Sequence, residues 1–536
     1  MNITEIDPMR EEKLMRRYHL SRLCARVLAA QALSVDDMQA LFQPPALADP
    51  LTAQGMKEVI TRIQLARDRQ EKVMVCGDYD ADGICATAIM VDALRRFGLE
   101  CGFYIPNRFN EGYGLHAHTV ELAAQKRYAL LITVDNGVRA HEALQKAKEL
   151  GIEVIVTDHH AIDESCPPQC AILLHPFLMG KPFETLSGAG TALEVSRALG
   201  TENERQIVLA GIAAIGDVME MRQDTRNIVR QCIAILNEKK VRCIQLLAND
   251  SSPWDETKIA FQIVPKLNVT GRLADKANAN NTVRYLLSDN GALLMNMAAQ
   301  ISNLNALRKT MSEQMSRTAM EKADHSRAFL VICDPSFHEG IVGLVAGKLC
   351  EQFDKPCMVL AQKGSQCRGS IRAPKGMDLT SFFDELDCLQ EYGGHAQAAG
   401  IGFAMEDLPK VIQYAQQKLR ERPIQQQPEQ TLLPVSEDML TLNEVSSLDV
   451  LRPFGNGFEE PLFCIQRPHI TDSRTLSNDK HMKWRTASGM ELLYFNPGAR
   501  MQELKNGDFD TFVGTIGINS FRGRRTVNVI VKDVIK

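Results

Sequence analysis

Between Val73 and Leu94 the chain reads VMVCGDYDADGICATAIMVDAL. Val73–Cys76 is a short apolar run rich in β-branched residues, the pattern of a buried strand. Asp78, Asp80 and Asp82 follow within five residues, with glycine on both sides, and Ile84–Leu94 resumes an apolar pattern of helical length. A strand that ends in carboxylates and turns into a helix sets those charges at the carboxyl edge of an α/β sheet, where ligands of open parallel sheets collect. Acids this close repel one another unless a cation neutralises them. On its own the loop reads equally well as a solvated acidic turn, so the later segments decide.

Two of them repeat the device. Leu130–Val134 ends in Asp135-Asn136-Gly137, and Val154–Thr157 ends in Asp158-His159-His160. One strand ending in aspartate is explained by helix capping. Three such ends, one with adjacent histidines, call for a common site where Asp80, Asp82, Asp135, Asp158, His159 and His160 converge. Asp217 lies in the apolar run Leu209–Met221, where a carboxylate is costly unless paired or bound to a cation. It is the natural last ligand. The set Asp80, Asp82, Asp135, His159 and Asp217 is hard oxygen plus one imidazole, which favours Mn²⁺ or Mg²⁺ over a thiolate-type zinc site. Four carboxylates balance two divalent ions, and such a pair, about 3.5–4 Å apart, serves hydrolysis of a phosphate ester or anhydride. No Walker-type P-loop appears.

These residues need a scaffold of parallel strands. Cys101–Ile105 is a further strand, and the 15–25-residue spacing with helical segments between indicates βαβ units. Ser187-Gly188-Ala189-Gly190-Thr191 opens a helix and reads best as tight packing. Residues 1–70 are helical in character, with one run over Glu11–Leu33 and a second helix over Thr52–Arg69. Residues 71–285 form the first α/β domain. A connector over 286–325 contains a long helix from Gly291 to about Ala323, with Ser288 or Asp289 as its cap. A second, smaller α/β domain spans 326–425, with strands at Phe329–Cys333 and Cys357–Ala361. Its glycine pairs beside His395 suit close backbone approach to a phosphate. Glu421–Pro434 is Gln/Pro-rich and reads as a linker. Residues 430–536 carry short β-like runs that fit a small barrel of the OB type. The tail cations Arg522, Arg524, Arg525, Lys532 and Lys536 suit a single-strand groove on such a barrel.

Composition bounds the class. At 536 residues, 45% hydrophobic and 24% charged, the chain is an ordinary globular protein of about three domains. No apolar run reaches membrane-spanning length, and the polar start lacks a secretory h-region. The fourteen cysteines are scattered without CxxC spacing. That usage suggests reduced thiols in a cytoplasm. A net charge of −5 argues against indiscriminate adhesion to polyanions but allows a local basic channel.

The ordered motifs GDYDADG (77–83), VDNG (134–137), TDHH (157–160) and GDV (216–218) resemble those of the DHH phosphoesterase superfamily, and GGHAQAAG (393–400) resembles the hallmark of its companion DHHA1 domain. IPNRFNEGYGL (105–115), LSGAGTA (186–192), KLNVTGRL (266–273), LNALRK (304–309) and PFGNGFEEPLF (453–463) are similar to the single-strand-specific exonuclease branch. The resemblance implies a 5′→3′ exonuclease that releases mononucleotides from single-stranded DNA with two Mn²⁺ or Mg²⁺ ions, in DNA repair and recombination. It implies two lobes facing each other across the site, joined by the long helix, and an OB-fold that excludes duplex. Asp80, Asp82, Asp135, His159 and Asp217 match the metal ligands, and Asp158 orients them. His160 contacts the scissile phosphate or assists the leaving group. Arg108, Ser370 and Arg372 match positions that hold the 5′-terminal phosphate. Asn268, Arg272, Gly393, Gly394 and His395 match further substrate contacts, and Tyr113 a base-stacking position. A monomer is expected, with a single-strand-binding protein and a helicase as partners. Many relatives carry histidine at the place of Cys76, a poor Mn²⁺ partner. His175 stands where asparagine is usual, and the DNG at 135–137 often reads DCG. Two other functions compete: a phosphodiesterase of short oligonucleotides or cyclic dinucleotides, and an inactive DNA-binding scaffold of the replisome type.

Overall fold

The computed structural model describes residues 2–535 apart from 32, 34, 426–430, 478, 508 and 522. Five parallel strands form the first sheet in the order Cys101–Tyr104, Val73–Cys76, Leu130–Val134, Glu153–Thr157, Ile172–Leu174. Val73–Cys76 and Leu130–Val134 are buried throughout. This is why they read as unbroken apolar runs, since helices cover both faces of a parallel sheet. The register pairs Cys76 with Thr133 and Val134 with Thr157. The polar residues that follow these three strands therefore emerge side by side at one edge.

The helix after the first strand runs Ala81–Arg96, with Asp80 as its N-cap. Its buried face packs against Gly188–Ala198 and Glu204–Gly216 in the largest core cluster. The long helix spans Gly291–Lys322, about 48 Å at the usual rise. Its cap is Asn290, whose side chain accepts from Ala292 and Leu293 N–H, and not the expected Ser288 or Asp289. Asp289 pairs with Arg205 instead.

The second sheet has the order Leu389–His395, Ala398–Ala404, Gln366–Arg372, Cys357–Lys363, Leu330–Asp334, and only the last pair is parallel. The glycines beside His395 sit in a hairpin strand, with Gly393 opposite Gly400. The third sheet has eight strands, mostly from residues 431–535. Its strand Thr431–Val435 takes up the end of the stretch that reads as a linker, Glu421–Pro434. Arg522 and Lys536 of the basic tail lie outside the described residues, whereas Arg524, Arg525 and Lys532 are exposed.

The N-terminal helix expected over Glu11–Leu33 is two, Pro8–Tyr18 and Arg22–Ala30. Ser21 caps the second by accepting from Cys24 N–H, and His19 takes a left-handed turn at φ 54°. Leu14, Leu23, Val27 and Leu28 share one core with Phe463, Trp484 and Phe512. Asn2–Ile3 adds a parallel strand beside Thr431–Val435. The start of the chain thus packs on its C-terminal sheet, while Met56–Asp68 packs on the first lobe. All fourteen cysteines are free. No helix among the described residues is long and apolar enough to cross a membrane.

Candidate metal centre and anion pocket

The strand-end acids meet. Ligand atoms of Asp82, His159 and Asp217 lie within 4.8 Å of one another, as do those of Asp78, Asp80 and Asp135 and those of Asp135, His159 and His160. His159 Nε2 stands 3.0 Å from Asp135 Oδ1, 3.5 Å from Asp217 Oδ2 and 3.6 Å from Asp82 Oδ2. Among the described residues it nevertheless has no hydrogen-bond partner, and neither do the buried Asp78 Oδ1 and Asp135 Oδ1. Buried polar atoms without partners are rare and call for an explanation. Here they aim into a shared space.

Electrostatics agree. Burial first, then Asp82, Asp80, Asp78 and Asp217, pushes the Asp135 carboxyl well above the usual range. Burial, then Asp82 and Asp80, raises Asp217 to about 8. Burial and Asp80 raise Asp78, and burial and Asp82 raise Asp80. His159 is lowered, chiefly by burial, and so favours the neutral imidazole that coordinates metals. The donor set therefore fits hard divalent cations of the Mn²⁺ and Mg²⁺ type.

Backbone geometry fixes several of these residues. Asp82 accepts from Ser187 Oγ (3.0 Å), Gly188 N–H (2.8 Å) and Ala189 N–H (2.8 Å). The small-residue turn, expected to serve packing, thus presents a helix N-terminus to a carboxylate. A Cβ on Gly188 would fall 2.5 Å from the Asp135 Cβ, so only glycine admits that approach. Asp80 accepts from Gly83 N–H at 3.0 Å. Asp135 is left-handed at φ 62°, and its N–H donates to Thr157 O. Asp158 accepts from Val138, His159 and His160 N–H and from His160 Nδ1 at 2.8 Å. Burial opposes charge on His160, but the Asp158 hydrogen bond outweighs it and raises the imidazole to about 9.

Asp78 is the ligand candidate that the sequence reading passed over, although it belongs to the same acidic triplet. Cys76 offers no metal donor. It is buried beside Leu115 and Leu131, and burial pushes its thiol up to about 12. His175 does the work of an asparagine. Its Nδ1 accepts from Phe177 N–H at 3.2 Å, leaving Nε2–H to donate to His160 O at 2.9 Å.

Four guanidiniums gather next to the acids. Arg272 is held down to about 10 by burial and by repulsion from Arg108, Arg308 and Arg372, with Asp80 acting in the opposite sense. Arg108 lies 5.3 Å over the Tyr79 ring. Arg308 donates to Asn305 Oδ1 and lies outside the expected contacts. A Cβ on Gly343 would lie 3.2 Å from both the Arg372 guanidinium and Ser370 Oγ, so Ser370 and Arg372 share one wall. Cations that converge without a carboxylate partner among the described residues suit an anionic ligand.

Two of the expected substrate contacts also touch the acid cage. Asn268 Oδ1 accepts from Ala81 N–H at 2.8 Å, so this expected substrate contact also pins the acidic loop. The Tyr113 hydroxyl donates to the Asp135 carbonyl at 2.8 Å, and its ring meets His160 edge-on, which ties this expected stacking residue to the cage. From the other lobe His395 stacks on His160 at 6.2 Å. Gly394 has Ala398 O 2.2 Å from where a Cβ would be, so the hairpin needs glycine there, whereas Gly393 faces open space.

Fold and site define a DHH phosphoesterase with a DHHA1 lobe. The DHH family N-terminal domain matches residues 72–216, the DHHA1 domain residues 326–421, and the RecJ OB domain residues 433–533. More narrowly, the chain belongs to the RecJ family. It is 30% identical to the single-stranded-DNA-specific exonuclease RecJ of Bacillus subtilis, over 98% of this chain and 70% of that protein. It is 31% identical to the RecJ of Thermus thermophilus, over 85% and 68% respectively. The crystal structure of Thermus thermophilus RecJ in complex with Mn²⁺ superposes with a TM-score of 0.86 at 26% identity, covering 100% of this chain and 79% of that one. An exonuclease RecJ bound to manganese gives 0.63 at 30% identity, covering 71% and 97%.

Proposed function

We propose that this protein is a cytoplasmic 5′→3′ exonuclease that degrades single-stranded DNA to mononucleotides with two Mn²⁺ or Mg²⁺ ions, in DNA repair and recombination. The observation that carries the proposal is the adjacency of the acid cage to the guanidinium pocket. A cation-lined anion site beside a hydrolytic centre selects a substrate that ends in a phosphate. Asp78, Asp80, Asp82, Asp135, His159 and Asp217 would hold the metals. Bound there, divalent cations activate water and offset charge on the phosphate oxygens.

The chain's own groups do the rest. Arg108, Arg272, Ser370 and Arg372, with Arg308 behind them, grip the 5′-terminal phosphate and place the next phosphodiester over the cage. Asp158 holds His160 charged and oriented. His160 then donates its proton to the 3′-oxygen of the terminal nucleotide as its bond to phosphorus breaks, while water adds on the opposite side. His395 closes over the same phosphate from the DHHA1 lobe. Single-strand-binding protein and a helicase are the partners this activity calls for.

The test is nucleotide release with Mn²⁺ from strands labelled at either end. A 5′ label appearing at once as mononucleotide, with duplex resistant, is the expected result. Cleavage confined to di- or trinucleotides, or binding without release, would overturn it.

A further inference from the structure

The loop Pro453-Phe454-Gly455-Asn456-Gly457-Phe458 of the C-terminal domain has no part in the chemistry above, yet it docks just behind the cage. The helix Glu204–Gly216 ends on Asp217 and leaves in a Schellman turn. Met219 N–H donates to Ala214 O at 3.0 Å and Val218 N–H to Ile215 O at 3.4 Å. This turn needs a left-handed residue after the cap, a place that glycine usually fills. Here it is Val218, at φ 56°. A β-branched residue is strained in that region and persists there only when its surroundings impose it. Burial does not impose it, because Val218 is 65% exposed.

Asn456 does. Its Nδ2 donates to Val218 O at 3.1 Å, and its backbone carbonyl accepts from Met221 N–H at 2.8 Å. The loop is itself anchored to the first lobe. Arg226 donates to Pro453 O and Leu451 O at 2.8 and 2.7 Å and lies 4.6 Å over the Phe458 ring. Glu256 accepts from Phe454 N–H and pairs with Arg452. A Cβ on Gly455 would come 2.6 Å from Met221 Cγ, so the approach depends on glycine.

We propose that Asn456 is a positioning residue for the metal centre. Through Val218 it holds the strained turn that aims Asp217 at His159, and so the C-terminal domain completes a cage built by the first lobe. The inference rests on Asp217 being a metal ligand. Without the clamp, Val218 relaxes toward an unstrained backbone and swings the Asp217 carboxylate away.

The test is Mn²⁺ binding by the full chain, read as loss of the free-ion electron paramagnetic resonance signal, beside the melting midpoint without metal. Asn456→Ala should weaken binding about tenfold, the low end for residues that orient metal ligands, with the metal-free midpoint falling by no more than about 4 °C. Adding Val218→Gly should restore most of the affinity, because glycine adopts the left-handed turn at no steric cost. In an Asp217→Ala background Asn456→Ala should have no further effect. Should Asn456→Ala fail to fold, Gly455→Ala displaces the same loop and should weaken binding likewise. Wild-type affinity in the clamp variants, or equal weakening with and without Asp217, overturns the inference alone. Asp217→Ala binding Mn²⁺ as tightly as the wild type overturns the ligand reading and the inference with it.

Discussion

Asp82 rests on three donors from one helix start, and Asp158 on four from its own neighbourhood. At the other side of the cleft, the Arg108 and Arg272 side chains make no hydrogen bond among the described residues. Asp82 and Asp158 are pinned before any ligand arrives, while Arg108 and Arg272 keep their donors available and repel one another. A metal cage needs fixed distances, because cations demand particular coordination. A phosphate grip needs available donors, because each donor already satisfied inside the protein is lost to the substrate. The two halves are therefore expected to fail differently when altered.

Asp135 belongs to two of the three ligand groups, so Asp135→Ala should produce the largest effect. Turnover with Mn²⁺ is expected to fall by more than about a hundredfold, beyond the about 10–100-fold typical of residues that only orient ligands. Steady-state kinetics beside circular dichroism checks this, and retained activity would remove Asp135 from the centre. Arg372→Ala should act on the other half. It is expected to raise KM for 5′-phosphorylated single strands by about 10–100-fold, the worth of a charge-assisted hydrogen bond. Strands with a 5′-hydroxyl should be little affected. An equal loss on both would place Arg372 elsewhere in the reaction.

Smaller effects sharpen the contrast. Ser187→Ala removes a donor from Asp82 and the cap of Gly188–Ala198 together. It should lower Mn²⁺ affinity by about tenfold and stability by about 1 kcal/mol, read by titration and thermal melting. His175→Asn should change neither activity nor affinity by more than about twofold, since an asparagine offers the same acceptor and donor. A large loss would give the imidazole a role of its own.

The sequence showed the two halves unequally. Asp80, Asp82, Asp135, Asp158 and His159 each follow an apolar strand, so period and polarity alone bring them to one sheet edge. Asp78 was visible in the same triplet but went unused, because spacing does not tell which acids turn inward. The Ser187–Ala189 clasp was read as packing because its donors are backbone N–H groups, which no residue type announces. Arg108, Arg272, Arg308 and Arg372 come from four distant segments with no shared pattern, and only resemblance to relatives pointed to three of them. The union of the first helices with the C-terminal sheet was equally hidden, since it joins the two ends of the chain. The split at His19 was legible in Ser21, a strong capping residue inside an otherwise continuous helical pattern.

Strand-end acids and His159 are expected to form one cage for two divalent cations. Anomalous diffraction from crystals soaked in Mn²⁺ tests it most directly. Two peaks are predicted about 3.5–4 Å apart, one among Asp82, His159 and Asp217, the other among Asp78, Asp80 and Asp135. A lone peak, or peaks away from these side chains, would contradict the account.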